Sequence, residues 1–418
     1  MTPSRFAGSF TQQEPLPEAA MRAAEAVLSS GRLHRYNTAP DALSEAARLE
    51  EAYAAWQGAR YCLAVASGGQ ALQIALRAAG VEAGETVLTN AFTLAPVPGA
   101  VAAAGARPVF VETDETLRID LQDLADKIAA TGARRLLLSH MRGHVCDMDR
   151  LMAIADAAGV QVIEDCAHTM GARWNGVRSG NHGIAGCFST QTYKHMNSGE
   201  GGLLTSDDPD LMARAIVMSG SYMLYERHGA APEAARFADI RLTTPNMSAR
   251  LDNLRAAVLL PQLETLEANV ERWNARYAAV ERGLAQAEAV ATIRRPAQER
   301  KVGSSIQFRT PGFSAPACRA LLAAAAARGV ELKWFGAAEP QGFTSTHASW
   351  RYAEAQDLPR SDAIFATLFD MRLPLTFSLE DCETVAGILR ECVAEVAASA
   401  GSPEAGTLEA GTLEAGAA

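Results

Sequence analysis

Lys194 stands between a strand-like run, Gly186 to Gln191, and a glycine-rich turn holding Gly199, Gly201 and Gly202. A lysine at the end of a buried strand carries its charge at a cost. Desolvation lowers its pKa and leaves a nucleophilic amine, the group that a Schiff base to an aldehyde requires. A second feature is VIEDCAHT, where two adjacent carboxylates, Glu164 and Asp165, close an apolar run. Side chains alternate along a strand, so the two cannot point the same way. Whichever faces a site needs a cationic partner, because an unpaired buried carboxylate is expensive. A protonated ring nitrogen would serve. The third feature is SGGQAL, Ser67 to Leu72. A glycine turn entering a helix presents free backbone N–H groups and a positive dipole end, which suits a phosphate. Ser189, just upstream of Lys194, offers a further hydroxyl for it. Each feature alone has a plainer reading: a lysine reaching solvent, a structural salt bridge, a tight packing turn. Together they describe a site for pyridoxal phosphate.

The elements around these residues alternate. Short apolar runs, YCLAVAS, TVLTNAF, ARPVFVETD, RRLLLSH and VQVIEDCA, are separated by helical patterns, and CFSTQ and GLLTSD pair across the SGEGG turn. Continuous apolar strands alternating with helices imply a mostly parallel sheet covered on both faces. Ligands of such sheets bind at the carboxyl ends of the strands, where Ser67, Gly68, Gly69, Thr93, His140, Asp165, His168 and Lys194 fall. Before the first strand, one helix is predicted from Pro17 to Gly31 and another from Asp41 to Trp56, joined through the loop GRLHRYN. Residues 220–245 read as a loop with a short helix. A long helix over PQLETLEANVERWNARYAAVERGL carries one apolar stripe, Leu263, Leu266, Val270, Trp273, Tyr277, Val280 and Leu284. The strands SSIQFRTPG, ELKWF and LFDMRLPL, with helices over ACRALLAAAAARGV and Leu379 to Ala397, make a compact α+β unit. The expected division is a large domain over residues 1–260, a linking helix and small domain over 261–397, and a disordered low-complexity tail over 398–418.

Composition excludes several classes. The chain has 418 residues, enough for two domains, and a net charge of −10 without a basic patch, which argues against nucleic acid. Its seven cysteines are irregularly spaced with no CxxC pair, so reduced thiols in a cytoplasmic protein are expected, not a disulfide framework or a metal site. No run is long enough to span a bilayer.

In the blocks SGRLHRYN, VASGGQALQIAL, TNAFTLAPVPGAVAAAGARPVFVETD, HMRGHVCDMDRL, VIEDCAHTMGARWNGVRSG, CFSTQTYKHMNSGEGG and RLDNLRAAVLLPQLETL, the chain resembles the DegT/StrS sugar aminotransferases, a group of fold-type-I pyridoxal phosphate enzymes. The similarity runs from about Gly31 to Glu395, and the order of the blocks is more specific than any one of them. The resemblance implies the pyridoxal phosphate-dependent transferase fold: an α/β large domain with a mostly parallel seven-stranded sheet, a small C-terminal α+β domain, and a homodimer with sites at its interface. It matches Lys194 to the Schiff-base lysine and Asp165 to the partner of the pyridine nitrogen. Ser189 and the backbone of Gly69 and Gln70 match the phosphate site, and His168 a position beside the cofactor ring. Three departures stand out. SGGQAL replaces the family's SGTAAL, which removes a threonine hydroxyl at Gly69. Leu94 stands where an aromatic ring usually stacks on the cofactor. Asn246 matches the phosphate contact from the neighbouring subunit, although Ser248 lies at the family's usual distance before Arg250.

The activity implied is transfer of an amino group from glutamate or glutamine to a carbonyl of a small polar acceptor, such as a keto-sugar, a nucleotide-linked keto-sugar or a keto-cyclitol. Gln191 in SxQxxK, followed by SGEGG, leans toward the cyclitol and aminobenzoate-forming branch. Acceptor contacts are expected from the loops Arg32 to Asn37 and Tyr222 to His228, and from the small domain. Two alternatives are a dehydratase of the same fold, in which histidine replaces the lysine, and a non-catalytic regulator. Intact Lys194, Asp165 and Ser189 argue against both.

Overall fold

The computed structural model describes residues 5–400 apart from Phe343, so the terminal repeat EAGTLEAGTLEAG lies outside the described residues. The large sheet has seven strands. In spatial order they are Tyr61–Val65, Gly202–Ser206, Ala185–Ser189, Gln161–Asp165, Arg135–Ser139, Thr86–Asn90 and Arg107–Val111. Gly202–Ser206 runs antiparallel to both neighbours, including across the SGEGG turn, and the other pairings are parallel. The fold is that of the fold-type-I transferases, as the resemblance implied.

Alternation along the strands decides which side chain faces what. Leu63, Leu137, Ile163, Ala185, Cys187 and Leu204 pack with the helices Gly68–Ala78 and Pro209–Ser219 on one face. Leu136, Leu138 and Val162 pack with Leu124, Leu151 and the helices bearing them on the other. Asp165 therefore shares the Ile163 side and Glu164 the Val162 side. Ser139 is in register with Asp165, and Asp165 with Cys187, which lines these residues up at the carboxyl ends.

Local chemistry sets the helix starts. Ser67, Asp120, Asp147 and Asp208 each cap a helix by accepting a backbone N–H. The helix Pro209–Ser219 was not singled out by its sequence, although Asp208 and a first-turn proline mark it. Two predicted boundaries move. The second helix is Glu45–Gln57, because Ser44 accepts from Ala47 N and Leu43 stays half exposed. The long helix begins at Leu266; Leu260–Thr265 is a 3₁₀ turn around Pro261, which has no N–H to give an α-helix. Within residues 220–245 the short helix is Phe237–Thr243.

A second sheet of four antiparallel strands, Ala291–Thr292, Ser305–Arg309, Leu368–Arg372 and Lys333–Trp334, packs under Ala315–Ala327 and Leu379–Ala400. Tyr277, Val280 and Leu284 of the long helix join this core, and so do Phe6 and Phe10 from the start of the chain. Phe10 meets Phe377 edge to face at 4.9 Å between ring centroids. Since Phe10 is fully buried there, Phe10→Ala should cost about 3–5 kcal/mol. Urea unfolding checks this, and a change below about 1 kcal/mol would show the contact is dispensable.

Candidate active site

Asp165 is buried at its strand end. Its Oδ2 accepts from Ser139 Oγ at 2.8 Å and its Oδ1 from Ala167 N at 3.1 Å. Burial pushes its pKa up, and the bonds from Ser139 and Ala167 and the charge of Lys194 only partly counter that. A cation placed against this carboxylate would complete its neutralisation. Glu164 is the opposite case. On the other face it accepts from Gly180 N, His182 N and Gly183 N at 2.8 Å each and pairs with His140 Nε2 at 2.9 Å. Burial would raise its pKa, yet His140 and the backbone bonds hold it at about 2. His140, one of the strand-end residues expected near the site, is thus committed to Glu164.

Lys194 Nζ lies 2.8 Å from His168 Nε2. Its pKa falls from the ordinary 10.5 to about 7, because the amine is buried and Arg142 acts on it, against the opposing charge of Asp165. Burial and the charge of Lys194 also keep the His168 ring unprotonated, so its nitrogen can accept from the amine.

Helix Gly68–Ala78 starts beside this group because glycine allows it. A Cβ at Gly68 would stand 2.8 Å from that of Ser189, and one at Gly202 would stand 2.4 Å from the Ser67 carbonyl oxygen. A Cβ at Gly69 would meet only Ser67 Oγ at 3.8 Å, so the first turn opens onto free space. Ser67 Oγ accepts from Gln70 N at 3.1 Å, so the Gln70 amide expected at the phosphate is already engaged and a phosphate would share it. Gln70 Oε1 and Thr93 Oγ1 are buried without a hydrogen-bond partner among the described residues. An uncompensated carboxylate, a near-neutral lysine, an open helix start with Ser189 beside it and two orphaned oxygens fit pyridoxal phosphate. Lys194 would hold its carbonyl carbon, Asp165 its ring nitrogen, and Ser189 with the Gly69 backbone its phosphate.

Other expected residues lie further out. Leu94 is half buried against an aromatic cluster containing Phe92, Phe335 and Phe365. Asn246 is exposed, and its Oδ1 accepts from Ser248 N at 3.0 Å. Its segment reaches the site rim, where Ala66 N donates to Ala249 O. The two expected acceptor loops are tied to each other: Tyr36 Oη is 2.8 Å from His228 Nε2. Arg35 turns inward, with bonds of 3.0 and 2.9 Å to Glu50 and a contact of 2.9 Å to His228 Nδ1. Both side chains are fully buried, so Arg35 and His228 brace the loops, whereas Arg32 is half-buried and His34 and Tyr222 are exposed. Sequence reasoning missed Arg142, Lys333, Asp370 and Arg372, which gather beside Lys194. They come from distant segments and share no spacing that could have joined them.

A half-buried lysine in the turn after the strand Ala185–Ser189, in the field of a buried strand-end carboxylate, is the site of a fold-type-I pyridoxal phosphate protein. The profile of the DegT/DnrJ/EryC1/StrS aminotransferase family matches residues 16–390, and the chain belongs to that family. It is 36% identical over 228 residues to UDP-2-acetamido-2-deoxy-3-oxo-D-glucuronate aminotransferase of Pseudomonas aeruginosa, covering 54% of this chain and 60% of that one. It is 34% identical over 251 residues to L-glutamine:scyllo-inosose aminotransferase of Streptomyces griseus, covering 59% and 58%. It therefore spans less than two thirds of the length of these curated relatives. The crystal structure of 3-amino-5-hydroxybenzoic acid synthase superposes with a TM-score of 0.79 at 26% identity, over 93% of this chain and 100% of that chain. Among the described residues no helix is long and apolar enough to cross a membrane.

A lysine whose pKa is about 7 is half free amine at that pH and mostly free amine above it. In apoprotein, the rate at which Lys194 captures pyridoxal phosphate should rise about tenfold per pH unit below 7 and flatten above about 8. A rate that keeps climbing through pH 9, as for an ordinary lysine, would contradict the buried environment.

Proposed function

We propose that this chain transfers an amino group from glutamine or glutamate to a ketone carbon on a polyhydroxylated ring, a keto-sugar or keto-cyclitol, with pyridoxal phosphate as cofactor. The observation that carries the reading is the half-buried amine of Lys194, 2.8 Å from His168 Nε2 and close enough to Asp165 for each charge to act on the other. Once bound, the cofactor supplies a carbonyl for amine exchange and a ring that takes up electron density. The protein's part is to move protons and hold charge. An amine whose pKa is near 7 can take a proton from a substrate carbon and return one at neutral pH. His168 accepts from that amine and fixes its position. Asp165, held by Ser139 and Ala167, keeps a ring nitrogen protonated. Ser189 and the open first turn at Gly69 anchor the phosphate.

The acceptor class rests on the relatives, which are named for a 3-oxo-glucuronate and for scyllo-inosose. The SxQxxK block around Gln191 favours the cyclitol branch, and the fold match to an aminobenzoate-forming enzyme agrees with that lean. The working assembly is a homodimer, in which exposed Asn246 reaches the phosphate site of the neighbouring subunit. The seven buried free cysteines suit a reducing cytoplasm.

The test is spectroscopic. Visible absorbance of the holoprotein should disappear on adding L-glutamine or L-glutamate and return on adding scyllo-inosose. Asp165→Asn should keep the cofactor but slow both changes at least about a hundredfold, near 3 kcal/mol. Glu164→Gln, whose carboxylate serves the other face, should lower stability and leave the rates of folded protein within about threefold. No donor response in wild type would remove the aminotransferase reading, and equal slowing in the two variants would remove the assigned role of Asp165.

A further inference from the structure

The two loops tied through Tyr36 and His228 hold a chain of hydrogen bonds that can run in one direction only. It starts at Glu50, fully buried on the helix Glu45–Gln57. Glu50 accepts from both amino ends of Arg35, and also from Ala64 N at 2.8 Å on the strand Tyr61–Val65. A guanidinium has donors and no acceptor. Arg35 therefore donates to His228 Nδ1, 2.9 Å from its NH2. A proton on that nitrogen would set two donors against each other, in exchange for a longer contact of 3.3 Å to Glu50 Oε2. Burial and the charge of Arg35 lower the pKa of His228, so the ring keeps a single proton, on Nε2.

That proton fixes the next bond. His228 Nε2 lies 2.8 Å from Tyr36 Oη, so the ring donates and the hydroxyl accepts. Burial raises the pKa of Tyr36 to about 12 against the charge of Arg35, and the hydroxyl keeps its own proton. Its proton then has to find another acceptor. Tyr36 is 6% exposed, and its hydroxyl has no second hydrogen-bond partner among the described residues. A buried donor left unused is costly, and such donors are rare in folded proteins.

The surroundings place this hydroxyl at the rim of the site. Glu50 and Arg35 both grip Ala64, three residues before Ser67 and the turn expected to hold phosphate. The charge of Arg250 acts on Tyr36. Arg250 forms a backbone bridge with Val65, and its guanidinium lies 5.5 Å from the ring of exposed Tyr222.

We propose that Tyr36 gives its hydroxyl proton to an oxygen of a bound ligand, with Arg35 and His228 as positioning residues that aim it. This rests on the aminotransferase reading for the identity of the ligand. Two sources bring such an oxygen: a ring hydroxyl of the polyhydroxylated acceptor and the phosphate of the cofactor. A site that spends a buried donor on a substrate hydroxyl discriminates against analogues lacking it, so in the first case Tyr36 sets specificity.

Two measurements test the proposal. Nitrogen-15 spectra of histidine-labelled holoprotein, with the His228 signal assigned through His228→Asn, should show the Nε2–H tautomer at neutral pH. The Nδ1–H tautomer would overturn the proposal, because Tyr36 would then spend its proton on the ring. The second measurement uses Tyr36→Phe, which removes one hydroxyl and should keep the wild-type melting temperature. A loss of at least about tenfold in kcat/KM with scyllo-inosose, with cofactor affinity and the L-glutamine half-reaction within about twofold, assigns the acceptor oxygen. Cofactor affinity weakened at least about tenfold assigns the phosphate oxygen. If all three stay within about twofold, or all fall together with the melting temperature, the hydroxyl has no ligand and the proposal is overturned. Wild type that moves no amino group would defeat the aminotransferase reading instead. Tyr36 is then judged by cofactor affinity and by calorimetric binding of scyllo-inositol, which keeps the hydroxyls and lacks the ketone. Weakening of either in Tyr36→Phe supports the donor role, and no change in both overturns it.

Discussion

Desolvation of one half-buried amine organises this site. Lys194 is partly withdrawn from water and faces Arg142, so its pKa falls to about 7. Such an amine can act as a nucleophile and a proton carrier at neutral pH only if its surroundings are fixed. His168 supplies one contact, and Asp165 supplies a charge whose direction is set by strand alternation. The same alternation sends Glu164 to the other face, where three amides and His140 absorb its charge. Two adjacent carboxylates thus have opposite fates because a strand has period two. Glycines at 68 and 202 let the helix start, Ser189 and the strand end meet, since a methyl group at either would collide with a neighbour.

Much of this was legible in the sequence, for physical reasons. Continuous apolar strands and capped helices leave a strong pattern, and a strand-end lysine and carboxylate are local features. What was illegible is long-range. The three-stranded ribbon made of Arg173–Trp174, Val177–Arg178 and Glu299–Arg300 has strands too short to show a period. His140 could not be separated from the site by type alone; its Glu164 contact exists only in three dimensions. Arg35 and Asn37 look alike as polar loop residues, yet one is buried on Glu50 and the other exposed. The Arg142–Asp370–Arg372 group joins the end of a large-sheet strand to the small sheet, and no spacing announces it.

The small sheet is therefore more than a cover. Phe6 and Phe10 from the first residues and the long helix Leu266–Leu284 share its core. One strand delivers Arg372 to the cavity that Lys194 lines, and another places the charge of Lys333 near enough to act on that amine. Charge beside the amine thus comes from both sheets, with Arg142 on the large-sheet side and Asp370 on the other.

Lys194 as the residue that carries the cofactor is tested most directly by borohydride reduction of the pyridoxal phosphate-loaded protein, followed by peptide mapping. A single reduced adduct on the peptide containing Tyr193, Lys194 and His195, abolished in Lys194→Ala, is the expected result. An adduct on another lysine, or none in saturated protein, would contradict it.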